Sequence, residues 1–199
     1  MNSETSELTT VVPVADGEVR KGGWILTFTG HQFWPEDPRP EDVFLEDIAH
    51  ALSNLCRFTG HCTRFYSVAE HSVRLARQLP VKFQPYALLH DAAEAYVNDL
   101  ARPIKRTKIL EEYCFLEDRV LYAILTRFGL QPLQHSPWIP NEVKFGDLKM
   151  LMTERRDLMP AAGPEWSIDA SPYPETISSY DYHTAKQDFL TMAQALGIE

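Results

Sequence analysis

Residues 87–99 read ALLHDAAEAYVND, and the reading of this stretch decides the fold. Ala87, Leu88, Leu89, Ala92 and Ala93 surround a His-Asp pair with apolar side chains, and Pro85 suits a first helical turn. The spacing predicts a helix from Pro85 to about Val97. Positions i, i+3 and i+4 share a helix face, so His90, Asp91 and Glu94 would project toward one locus while Ala87, Leu88 and Ala92 pack behind them. A carboxylate inside an apolar helix needs a cation or hydrogen bonds. Two readings meet that need: a histidine satisfied by a backbone carbonyl with an aspartate paired to an arginine, or a pair of ligands for a metal ion.

Working outward, the same periodicity recurs along the chain. Leu45, Ile48, Ala49, Leu52 and Leu55 mark a helix with one buried stripe. Ser67 followed by Glu70 is a capping-box pattern that opens the next, and Pro80 closes it. Further helices fit residues 110–129, which stop at Gly129, 141–159, which stop before Pro160, and 182–197. Residues 160–181, rich in Pro and Ser, form a long connection before the last of these. Three prolines at Pro35, Pro38 and Pro40 forbid regular helix ahead of Val43, where compact structure is expected to start, and no strand of clear alternation is found. The expectation is an all-α, single-domain helical bundle over residues 23–199, with residues 1–22 as a mobile polar arm.

The bulk properties exclude several classes. A chain of 199 residues with 44% hydrophobic and 24% charged residues is ordinary globular composition for one domain. A formal charge of −9 argues against a nucleic-acid polymer as partner, because surfaces that track phosphate backbones are strongly basic. Any anionic ligand must therefore meet a local basic site. No run approaches the roughly 20 apolar residues of a membrane span, and the first twenty residues lack a secretory pattern. A cytoplasmic protein with no membrane partner is expected. Cys56, Cys62 and Cys114 form no C-x-x-C pair and read as reduced thiols.

Two more residues extend the His90–Asp91 pair. His71 lies in an apolar setting on the helix before it, and Asp147 lies on a later one in VKFGDLKML, residues 143–151. Taken singly, His71 is also a plausible core histidine and Asp147 a solvated charge. Two imidazoles and two carboxylates on three helices nevertheless make a ligand set suited to a divalent ion with positions left for water and substrate. A closed structural zinc site would use Cys and His at spacings this chain lacks, so the metal would be catalytic. The two imidazoles favour Mn, Co or Zn over Mg.

Arg57, SVAEHS with His71, LLHDAAEAYVNDLARPIK with His90 and Asp91, and Asp147 together resemble the HD-domain metal-dependent phosphohydrolases, over about residues 45–159. Within them the likeness is to the YfbR-type bacterial 5'-deoxyribonucleotidases and the phage-type deoxynucleoside triphosphate hydrolases. The resemblance implies an HD-type helical bundle in which His71, His90, Asp91 and Asp147 hold the metal. Glu94 would orient or deprotonate the attacking water, and Asp99 would lie near the scissile phosphate and help protonate the leaving oxygen. Arg57 and Lys105 would contact phosphate. Arg57 alone also reads as a surface arginine, and Lys105 belongs to a run, Arg102, Lys105, Arg106 and Lys108, that equally suits a solvated face.

His61 and Arg64, in the loop leading to the His71 helix, could reach a di- or triphosphate tail or serve the loop alone. The implied reaction is hydrolysis of a (deoxy)nucleotide phosphate ester by metal-activated water, as a 5'-nucleotidase or a triphosphohydrolase. A cyclic-nucleotide or alarmone phosphodiesterase, or a nucleotide-binding module without turnover, would fit the same scaffold. The implied partners are a small-molecule nucleotide and a second copy of the chain in a homodimer. Where the deoxyribonucleotidase branch tends to carry tryptophan after its phosphate-binding arginine, this chain has Phe58, so sugar and base preference do not carry over.

Overall fold

Helical periodicity dominates the sequence, and helices dominate the chain. The structure, a computed structural model, describes residues 19–130 and 138–199. Among the described residues the helices are α1 (Leu45–Asn54), α2 (Val68–Gln78), α3 (Gln84–Leu89), α4 (Glu94–Val97), α5 (Arg102–Lys105), α6 (Glu111–Arg127), α7 (Asn141–Leu158) and α8 (Tyr182–Ala195). No helix among the described residues is long and apolar enough to cross a membrane.

α2 is the central element, with α1, α3, α7 and α8 packed around it and every residue from Val68 to Ala76 buried. Its start is the one the sequence signals: the Ser67 side chain accepts a hydrogen bond from the Glu70 amide at 3.1 Å. A helix buried all round must satisfy its polar residues inside the protein. Glu70 and Arg74 pair at 2.8 Å and turn toward the 160–181 connection, whereas His71 turns the other way, toward α7. Close approach of α7 depends on Gly146. A Cβ there would meet Leu75 of α2 and Leu79, which caps it, at 3.1 Å and the Tyr173 hydroxyl at 3.2 Å.

The 160–181 connection has no helix or strand, yet it is fixed by arginines that donate to its carbonyls. Arg64 reaches Ile177 O, Arg74 reaches Ser178 O, and Arg156 reaches Tyr173 O and Glu175 O. Buried Tyr173 and Ile177 anchor it to the core.

Three features differ from the sequence expectation. A short antiparallel hairpin, β1 (Ile25–Leu26) and β2 (Gln32–Phe33), precedes the helices. Thr29 at its tip donates to both carboxylate oxygens of Asp47 in α1, at 2.7 and 2.8 Å. Two-residue strands show no measurable alternation, which is why periodicity misses them. The compact body also begins well before Val43. Phe33 and Trp34 are buried, and Arg20 donates to Asp37 at 2.7 Å and Asp42 at 2.6 Å. Residues 1–18 of the expected arm lie outside the described residues; of its remainder, Arg20 is part of the body.

Third, the helix expected from Pro85 to Val97 is interrupted at the His-Asp pair. The amides of Ala92, Glu94, Ala95 and Tyr96 bond to the carbonyls three residues back, of Leu89, Asp91, Ala92 and Ala93. Such tightening to three residues per turn rotates successive side chains by about 120° rather than 100°, and so re-aims Asp91 and Glu94 relative to a regular helix.

Candidate metal centre

α2, the α3–α4 turn and α7 bring the four predicted ligands to one place. His71 Nε2 lies 3.2 Å from His90 Nε2, 3.7 Å from Asp91 Oδ2 and 3.4 Å from Asp147 Oδ1. His90 Nε2 lies 3.1 Å from Asp91 Oδ2 and 4.0 Å from Asp147 Oδ1. His71, His90 and Asp91 form a group whose ligand atoms all lie within 4.8 Å of one another, a cluster that could hold a metal ion. Asp147 stands just outside that group, in reach of both imidazoles.

The imidazoles are aimed from behind. His71 Nδ1 donates to Glu154 Oε1 at 2.6 Å, and His90 Nδ1 donates to the Ala87 carbonyl at 2.8 Å. Each contact keeps a proton on Nδ1 and turns Nε2 toward the cluster, the nitrogen that a metal ion would take in exchange for its proton. Two donors about 2.1 Å from one ion, at angles between square and tetrahedral, stand roughly 3.0–3.4 Å apart. The 3.2 Å between the two Nε2 atoms fits that separation. Both sequence readings of the His-Asp pair are thus present together: the histidine has its backbone carbonyl, Asp91 has Arg57 NH1 at 3.4 Å, and both still face the cluster.

Charge separation within the site is strong. Burial and nearby Arg57 work against a proton on His71, but Glu154 and Asp147 outweigh them and carry its pKa up to about 9. Burial would raise Asp147, yet His71 and His90 hold it down, at about 2. Asp91 is held well below the usual carboxylate range because His90, His71 and Arg57 override its burial. Glu94 goes the other way. Burial, then Asp91 and Asp99, push its pKa well above the ordinary value, against the pull of Lys105 and Arg57.

Glu94 Oε1 accepts from Lys105 Nζ at 3.2 Å, whereas Oε2 is buried with no hydrogen-bond partner. A buried carboxylate oxygen without a partner, on a residue that feels the Asp91 charge, is a group that solvent bound to a metal ion would satisfy. The donor set therefore fits a metal ion.

The remaining predicted residues divide. Arg57, 11% exposed, is fixed to Glu154 Oε2 through Nε at 3.3 Å and NH2 at 3.1 Å. Its loop is closed at the base, where the Arg57 amide donates to Tyr66 O and Cys56 bridges to Ser67. Phe58, Thr59 and Gly60 follow with φ of 55°, 54° and 80°. Left-handed backbone at two residues with side chains is uncommon and concentrates at functional sites. Asn98, at φ 78° and ψ 157°, is the third such residue and stands directly before Asp99. Asp99 is half-buried, and its charge acts on both Arg57 and Glu94.

Lys105 is committed to carboxylates, bonding Glu117 at 2.6 Å as well as Glu94. Arg64 holds the Ile177 carbonyl, and His61 is exposed; no described contact joins either to the cluster. Two residues enter that sequence reasoning did not select. Arg102 NH2 lies 3.1 Å from Asp147 Oδ2, and Glu154 underlies both His71 and Arg57. A signal for Glu154 existed, since it follows Asp147 by seven positions, two turns along the same face.

No protein-family model matches the chain. It is 41% identical over 145 residues, 73% of its length, to 78% of the uncharacterized protein YfdR of Escherichia coli (strain K12). It is 36% identical over 137 residues, 64% of its length, to 68% of an uncharacterized protein of Rhodobacter capsulatus.

Proposed function

We propose that this chain, which belongs to the family of the uncharacterized protein YfdR, is an HD-type, divalent-metal-dependent phosphohydrolase acting on nucleotides. One observation carries the reading: His71, His90 and Asp147, from different elements, converge within 4.0 Å. A bound divalent ion supplies Lewis-acid activation of water and neutralises phosphoryl oxygens. His71, His90, Asp91 and Asp147 are the residues to hold it.

The chain's own groups supply the rest. Glu94 accepts the proton of the attacking water, a role its raised pKa suits, because a carboxylate that holds a proton more tightly is a stronger base near neutral pH. Arg57 offers a planar fork for a phosphoryl group, held in place by Glu154. Arg102, half exposed on the Asp147 side, adds a second cation. Asp99, directly after the Asn98 kink, takes the role of protonating the leaving oxygen on this reading. Water adds to phosphorus, the ester P–O bond breaks, and the nucleoside departs with a proton from Asp99; Glu94 then releases its proton to solvent and Asp99 regains one from it.

The test is release of nucleoside with phosphate or tripolyphosphate from nucleoside mono-, di- and triphosphates, with Mn, Co, Zn or Mg and with a chelator. Cyclic dinucleotides and guanosine tetraphosphate belong in the same panel. Hydrolysis of a nucleotide that stops on chelation and returns with a transition metal is expected. Turnover indifferent to metal removal, or tight nucleotide binding without product under every metal, rejects the reading.

A further inference from the structure

We propose that Glu154 is a positioning residue that ties cation binding at His71 to phosphate binding at Arg57. The inference rests on the phosphohydrolase reading and extends it to a residue outside the ligand set. Glu154 is fully buried, and each of its carboxylate oxygens serves one half of the site. Oε1 accepts from His71 Nδ1 at 2.6 Å, and Oε2 accepts from Arg57 Nε and NH2 at 3.3 and 3.1 Å. The first contact fixes the tautomer and aim of a metal ligand. The second fixes the fork that meets phosphate.

No other side chain type can do both. Glutamine offers a single acceptor oxygen, so its NH2 would confront either the His71 N–H or the Arg57 guanidinium. Aspartate lacks one methylene and cannot span both partners from the same backbone position. Arg57 also faces Asp91 at 3.4 Å, so a guanidinium released by Glu154 would swing toward a metal ligand and compete with the cation. Ordering of one half therefore favours ordering of the other, and the effect must be reciprocal.

The experiment titrates Mn2+ alone into the chelator-treated full chain by calorimetry. It then titrates inorganic phosphate at saturating Mn2+, for wild type, Glu154→Gln and Arg57→Ala. A downfield His71 Nδ1 proton resonance, read beside the amide spectrum, reports tautomer and fold separately. Glu154→Gln is expected to bind Mn2+ about 10- to 100-fold more weakly, the usual range for loss of a group that orients a ligand. It should also bind phosphate at least tenfold more weakly and lose the His71 resonance, with an unchanged amide spectrum. Arg57→Ala should weaken phosphate and keep the resonance. Should Glu154→Gln not fold, Glu154→Asp, which keeps both acceptor oxygens but cannot reach both partners, is expected to weaken Mn2+ and phosphate binding in the same readouts.

Wild-type Mn2+ affinity in the folded variant, or loss of Mn2+ affinity with phosphate binding intact at saturation, overturns the proposal. Both effects present in a chain that hydrolyses no phosphate ester would sink the phosphohydrolase reading and leave this one standing.

Discussion

Lys105 Nζ lies 3.2 Å from Glu94 Oε1, across a turn and a short helix, and it holds Glu117 with the same ammonium at 2.6 Å. A lysine held between two carboxylates would, on the proposed reading, tune the base. It opposes the burial and the Asp91 and Asp99 charges that raise Glu94. Replacing Lys105 with Met should therefore raise the Glu94 pKa further. The acidic limb of the pH–rate profile, measured by phosphate release with Mn2+, should move to higher pH. A changed KM with an unmoved limb would return Lys105 to the phosphate.

Ligands and base should separate on mutation. His90→Ala and Asp91→Ala are expected to abolish both metal retention and turnover, because each removes a donor from the cluster. Glu94→Gln should retain the metal while slowing turnover by about 10²- to 10⁴-fold, the range for loss of a positioned general base. Metal content by mass spectrometry after gel filtration, set beside the rate, decides this. Metal lost from Glu94→Gln would make Glu94 a ligand.

Stability of the chelated protein should fall as pH rises above neutrality. His71, faced by Glu154, Asp147, Asp91, His90 and Arg57, has its pKa raised from 6.5 to about 9. A raised folded-state pKa means the stabilising proton is fully in place below 6.5 and is lost as pH climbs through about 9. Glu94, also raised, contributes with the same sign. Thermal midpoints in chelator should decline across pH 6.5–9. Adding Mn2+, which displaces the His71 proton, should flatten the slope. A flat chelated profile would contradict the charge arrangement.

Arg74 should be a stability residue with no role in chemistry. It is 4% exposed and joins Glu70, Glu175 and the Ser178 carbonyl, while Glu70 Oε2 accepts from the Tyr180 amide. Arg74→Ala strands the buried Glu70, a change that costs about 3 kcal/mol or more. For a chain of this size the thermal midpoint should drop by roughly 6–12 °C. Metal affinity in the folded fraction should be unchanged, and an intact midpoint would show the network to be dispensable.

Much of this was legible locally. The apolar spacing of Leu45 to Leu55, the Ser67–Glu70 cap and the stops at Gly129 and Pro160 each lie within one or two helical turns, where periodicity and capping act. His71, His90 and Asp91 stood out because polar groups in apolar surroundings need a reason, whereas Asp147, alone a solvated charge, joined them through the ligand set that the resemblance implies. What tertiary structure alone decided is who meets whom. His71 finds Glu154 across 83 residues and Arg57 finds it across 97, distances over which no sequence pattern specifies a partner. Packing also overrode the regular helix at His90–Asp91, and it turned Lys105 inward to Glu94. A side chain's element follows from its neighbours in the chain, but its charge environment follows from neighbours in space.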